Sequence, residues 1–194
     1  MYYKNISLLI VFLSVILSSH AQKDLTIFKN GARVTYKKIC ENVMCALVKV
    51  DVVEKGNIKH SFTPNKNMVS IAIPDDQLIF IEDYNFDGYN DVRIYRQLAA
   101  DGVNTVYDYW ILDPKSEEYV YMPEYSDISF PEVHKTDKEI VSTWRRGCCM
   151  DGTDIYRIVN NKPVVQRRVV KTVEYGVPKL KIYNRINDEL ILEQ

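Results

Sequence analysis

After residue 21 the apolar positions rarely recur at helical spacing. They come as short runs separated by turn residues, a pattern that predicts strands. The runs are Val34 to Ile39, Ala46 to Val53, Met68 to Ile73, Leu78 to Ile81, Val92 to Gln97, Thr105 to Leu112, Tyr119 to Met122, Glu139 to Trp144, Asp154 to Val159 and Val164 to Tyr175. Between them lie Lys55-Gly56-Asn57, Pro74-Asp75-Asp76, Asp101-Gly102, Asp113-Pro114-Lys115-Ser116 and Asn160-Asn161-Lys162-Pro163. Each has the Gly, Pro, Asn or Asp chemistry of a turn. A strand and a turn every ten residues or so predict an all-β sandwich, barrel or propeller, and the fold expected is a small propeller-like or barrel-like arrangement of short antiparallel strands. Asp87-Gly88 to Ile94 and Asp151-Gly152 to Ile158 echo each other, each reading as an Asp-Gly turn that opens a strand.

The first 21 residues follow another rule. Lys4 precedes an uncharged apolar run, Ile6 to Leu17, and small residues Ser19 and Ala21 stand before Gln22. This is the order of a secretory signal peptide, and the run is shorter than the roughly 20 residues that span a bilayer. The expected organisation is a signal peptide at 1–21 and one all-β domain at 22–194, periplasmic or secreted. The chain has 25 basic and 26 acidic residues, a balance that argues against a dedicated nucleic-acid binder.

Cysteines suit an oxidising compartment. Cys40, Cys45, Cys148 and Cys149 make an even count, read as disulfides in an exported protein. A 40–45 bridge would staple a hairpin and leave 148 and 149 as a vicinal pair or as free thiols. The other pairings tie that hairpin to the 148–149 segment. A zinc site lacks the usual paired spacings.

One loop carries metal-ligand spacing. Asp83, Asn85, Asp87 and Asp91 place side-chain oxygens at positions 1, 3, 5 and 9, and Gly88 stands at position 6. Calcium takes 6 to 8 oxygen ligands, and this spacing wraps a tight loop around one ion. Asp83, Asn85 and Asp87 would give side-chain oxygens, Tyr89 its backbone carbonyl, and Asp91 an oxygen directly or through water. Ile94 stands where a helix–loop–helix calcium hand has a bidentate Glu, and the flanks read as strands. The loop thus resembles the strand–loop–strand calcium loops of integrin-type β-propeller repeats.

The export signal, this loop and the Tyr107 to Val120 segment together resemble a family of bacterial periplasmic calcium-binding lysozyme inhibitors with a compact propeller-like fold. The similarity spans about residues 68 to 160. It implies a bound Ca2+ and a protein partner, a lysozyme-like cell-wall hydrolase. An envelope or surface module that binds glycan or protein, with a structural calcium, is the alternative. The acidic, tyrosine-rich stretch Glu117 to Asp127 would complement a basic enzyme, or else line a sheet rim. His60 and His134 stand in no nucleophilic setting, and no phosphate loop or zinc-hydrolase motif occurs. The expectation is therefore a binding protein and not an enzyme.

Overall fold

The computed structural model describes residues 25–26, 32–41, 44–64, 70–71, 74, 77–100 and 102–193. The expected signal segment lies outside the described residues. Among those described, no helix is long and apolar enough to cross a membrane.

Three antiparallel sheets follow one another along the chain. The first holds β1 (Leu25–Thr26), β2 (Arg33–Glu41), β3 (Met44–Glu54) and β4 (Asn57–Phe62) in that order, with β5 (Ser70–Ile71) on the start of β3. The central sheet is β6 (Ile79–Glu82), β7 (Asp91–Leu98), β8 (Thr105–Asp113) and β9 (Glu118–Tyr121). The third runs β10 (Pro131–His134), β11 (Glu139–Arg146), β12 (Met150–Val159), β13 (Lys162–Glu174), β14 (Val177–Ile186) and β15 (Glu189–Leu192). The all-β expectation holds. No sheet closes on itself among the described residues, so the barrel-like form is not the arrangement.

Local chemistry explains the up-and-down order. Lys55-Gly56, Asn160-Asn161, Tyr175-Gly176 and Asn187-Asp188 each place two successive residues at positive φ, between 48° and 83°. Such two-residue turns match the twist of the strands they join. The pattern of apolar runs misses β1, β4, β10, β14 and β15. In β14, Val177-Pro-Lys-Leu-Lys-Ile alternates with lysines and has a proline at its second position, so it lacks a dense apolar run. Its bracketing turns, Tyr175-Gly176 and Asn187-Asp188, were the available signal.

The central sheet is buried on both faces. Alternate residues of one face, Ile79, Val92, Ile94 and the half-buried Trp110, join Val34, Val50, Val52 and Phe62 of the first sheet in one core. The opposite face sends Tyr95, Tyr107, Tyr109 and Ile111 into a second core with Ile128, Ile140 and Tyr156. This double burial makes Asp91 to Tyr95 inaccessible in an unbroken run. Because strand side chains alternate between faces, each core draws on every second residue of the same strands.

Arg93 enters the second core on β7. It is 4% exposed, and its guanidinium carbon stands 4.0 Å from the Phe80 ring centre and 4.5 Å from that of Tyr107. Its Nε and Nη1 have no hydrogen-bond partner. Ring faces carry the negative end of the aromatic quadrupole, so they offset part of the lost hydration, by about 2 kcal/mol or more at a desolvated site. The tyrosines pack edge to face, as Tyr84 does on Tyr109 at 5.1 Å.

One sequence expectation needs correction in the third sheet. Asp151-Gly152 is no turn: both residues lie within β12, opposite Arg145 and Trp144. Gly152 is small because the Trp144 ring lies over it, and an added Cβ would also come 2.8 Å from the Val169 carbonyl oxygen. Arg168 makes two 2.7 Å bonds to the buried Asp154 from an interior strand. Sequence alternation cannot show which carboxylate the neighbouring strand brings opposite.

Gly152→Ala is expected to destabilise the protein by about 1–3 kcal/mol through overpacking against Trp144. The measurement is a urea midpoint that falls with an unchanged slope. An unchanged midpoint would mean that the indole moves aside freely.

Candidate functional site

The strand β6 ends at Glu82 and β7 begins at Asp91, so residues 83–90 form the connection between two paired strands. Polar and aromatic residues alternate through its first half. Tyr84 is fully buried and Phe86 packs against the same core, while half-buried Asp83 and Asn85 and exposed Asp87 carry the oxygens between them. The two rings hold the loop to the central and third sheets. Phe86 at φ 62° and Gly88 at φ 92° reverse the chain. For Gly88 the backbone angle, not space, requires the glycine, since an added Cβ would meet nothing within 4 Å.

The loop folds on its own side chains. Asp83 Oδ1 accepts from the Asp87 amide at 3.0 Å, and Oδ2 from Gly88 at 2.9 Å. Asn85 Oδ1 also accepts from the Asp87 amide at 3.2 Å, and its Nδ2 donates to Asp87 Oδ2 at 2.8 Å. Asp87 Oδ1 accepts from the Tyr89 amide at 2.9 Å. A carboxylate has about four acceptor positions, so Asp83 and Asp87 each keep lone pairs beyond these bonds.

The fourth predicted side chain sits apart. Asp91 is fully buried and turns inward, its Oδ2 accepting from the Tyr84 amide at 2.8 Å and its Oδ1 from the Leu112 amide at 2.9 Å. It thereby joins the loop to β8. Burial lifts its pKa to about 7 against the opposing pull of those two amides, and the charges of Asp87 and Asp83 push it further up. Tyr89 is 50% exposed. The structure thus gathers Asp83, Asn85 and Asp87 into one hydrogen-bonded loop and sets Asp91 beneath it. Among the described residues, no group of three or more His, Cys, Asp or Glu side chains is placed to hold a metal ion.

Residues outside the motif complete the site. The Tyr119 hydroxyl donates to the Asn90 carbonyl at 3.2 Å, and the His60 ring meets Tyr119 edge-on at 4.9 Å. The loop is therefore connected to β9 and, through His60, to the first sheet. Only strand register reveals these contacts, because Tyr119 lies 29 positions from Asn90. The tyrosine-rich stretch divides in three: Tyr125 is fully buried, Tyr119 half-buried, and Tyr121 38% exposed. Val120 beside it is 47% exposed.

The raised Asp91 pKa gives a pH dependence. An unfolded aspartate titrates near pH 3.9 and the folded one at about 7. Between those values the folded chain without a bound cation holds more protons than the unfolded chain, so its stability falls as pH rises from about 4 to about 7. Denaturation midpoints in chelator should show this slope, and Asp91→Asn should reduce it. A wild-type slope in the variant would contradict the assignment.

No protein-family model and no curated protein matches the chain. A solved structure, that of a Xanthomonas type IV secretion system related protein, is similar in fold at a TM-score of 0.66, with 18% identity over 89% of this chain and 98% of that one.

Proposed function

We propose that the chain is an exported calcium-binding protein that binds and blocks a lysozyme-like cell-wall hydrolase. The observation that carries the calcium reading is the Asp83–Asn85–Asp87 loop, already folded by its own amides with carboxylate lone pairs to spare. A divalent cation there would offset the mutual repulsion of Asp83, Asp87 and Asp91 and would favour the ionised form of Asp91. With two carboxylates and one amide on its outer side, the loop suits the weak range of extracellular calcium modules, a Kd of about 0.1–1 mM.

The partner reading is supported by the ground next to the loop. The strand β9 and the chain on either side of it carry Glu117, Glu118, Glu124 and Asp127, with Val120 and Tyr121 exposed among them. An acidic edge with exposed aromatic area fits a basic enzyme surface. Tyr119 and Leu112 tie this edge to Asn90 and Asp91, so a cation that orders the loop also orders the edge. The expected mechanism is steric occlusion of the substrate cleft. The fold shared with a secretion-system-related protein is compatible with work outside the cytoplasm.

About 5 mM calcium should stabilise the wild type by about 1–2 kcal/mol, raising Tm by about 2–8 °C. Asp87→Ala should lose most of that rise, measured against its own Tm in chelator. Equal shifts in both proteins would remove the site. In a turbidity assay of muramidase action on cell walls, the purified protein should inhibit stoichiometrically, and less so under chelation. No inhibition at large excess across several lysozyme types would overturn the inhibitor reading in favour of an envelope-binding module.

A further inference from the structure

Cys148 and Cys149 are joined by a disulfide, a bridge between chain neighbours. A disulfide stabilises a fold chiefly by restricting the unfolded chain, and the effect grows with the loop it closes. This one closes the shortest loop a chain allows, so stability does not account for it. Cys45 makes the contrast. It is also disulfide-bonded, is 6% exposed in the first sheet, and has Cys40 as its register partner across the β2–β3 hairpin. The bond between Cys148 and Cys149 rules out pairings that tie the hairpin to the 148–149 segment.

Both members of the vicinal pair are exposed, on the turn between β11 and β12. They form a wall of a surface cleft of about 430 Å³ with Arg145, Lys171, Val173 and Leu180. Lys179, also at the cleft, is paired with Glu174, which leaves Arg145 and Lys171 facing one lining carboxylate, Asp151. Two nearby cations favour thiolate over thiol, both in an arriving nucleophile and in the sulfur that departs. Hydrogen bonds to the two carbonyls hold the turn independently of the sulfurs: the Val173 amide donates to that of Cys149 at 3.1 Å, and the Arg145 side chain, through Nη2, to that of Cys148 at 3.4 Å. The bridge can therefore open without releasing the sheet.

We propose that Cys148–Cys149 is a thiol–disulfide exchange site whose substrate is an external dithiol. One thiolate of the dithiol attacks a cysteine sulfur, the Cys148–Cys149 bond breaks, and the second cysteine leaves as thiolate. The remaining thiol of the reductant then attacks the mixed disulfide and frees the first cysteine. Two electrons and two protons pass to the pair, and the dithiol leaves as its own disulfide. Exposed bridges of this kind are the labile ones, whereas buried structural bridges resist reduction.

The test equilibrates the purified full chain over a series of reduced-to-oxidised dithiothreitol ratios under native conditions. Free thiols are trapped with a maleimide and located by peptide mass. Cys148 and Cys149 should take label together, at a ratio at least about tenfold less reducing than Cys45 requires. The β-sheet circular dichroism should be unchanged, and Tm should move by less than about 2 °C. Phenylarsine oxide, which bridges two adjacent thiols, should add once to the reduced protein and block both labels. Labelling of the pair only together with Cys45 and with loss of the β signal would overturn the proposal, as would a Tm drop of about 10 °C or more on selective reduction. Labelling without any reductant would overturn it as well, because no bridge would then exist to exchange.

Discussion

A carboxylate without access to water organises the middle of this protein. Asp91 opens β7, accepts one amide from the Asp83–Asn90 loop and another from β8, and lies where the central sheet is covered on both sides. Burying an ionised group is expensive unless it is paired, and here only two amides and a raised pKa answer that cost. The loop's position, the start of β7 and the far end of β8 all meet at this side chain. The same burial makes the local charge state sensitive to any cation placed above it.

The double coverage of the central sheet also explains its composition. A strand with water on one side alternates polar and apolar residues, but β7 has no watered side along Asp91 to Tyr95. Its polar members must then be satisfied by neighbours. Asp91 finds amides, and Arg93 finds ring faces. Tyrosine is common in the second core because its ring fills volume while its hydroxyl can reach a partner or the rim. Tyr84 reaches Glu82 at 3.3 Å, and Tyr125 reaches the Asn161 carbonyl at 3.3 Å. Burial raises the phenol pKa of Tyr84 well above its usual value, with Arg93 pulling the other way.

Polar ties lock the central and third sheets around the second core. Ser129 Oγ accepts from the Thr105 amide at 2.9 Å, and Ser142 Oγ accepts from the Ser129 amide at 3.1 Å and donates to the Ser129 carbonyl at 2.6 Å. Asn104 brackets Arg145 from both its amide and carbonyl sides, extending β11 by a side chain. The loop site and the Cys148–Cys149 turn thus stand on opposite borders of one cross-linked pair of sheets. Asp83, Asn85 and Asp87 rest on aromatic anchors, whereas the vicinal pair rests on hydrogen bonds to its carbonyls that its sulfurs do not supply.

By itself the sequence determined the all-β class, most strand positions, several hairpin turns and the Asp83–Asp91 loop. These depend on neighbours in the chain: a period of two, positive-φ turn residues, and oxygens spaced along nine positions. Even locally it left gaps, since β14 is written in alternating lysines rather than an apolar run. What it could not contain was the partner of each side chain across strands. That Asp91 lies beneath the loop while Asp83 and Asp87 stay on its outer side depends on Leu112, 21 residues away. That Asp151-Gly152 is strand interior depends on Trp144 needing a glycine to lie over. Arg168 faces Asp154 because of an irregular register between β12 and β13 at Ile155/Tyr156. Register and layer stacking are long-range choices made by packing free energy summed over whole faces, and no short window of sequence carries that sum.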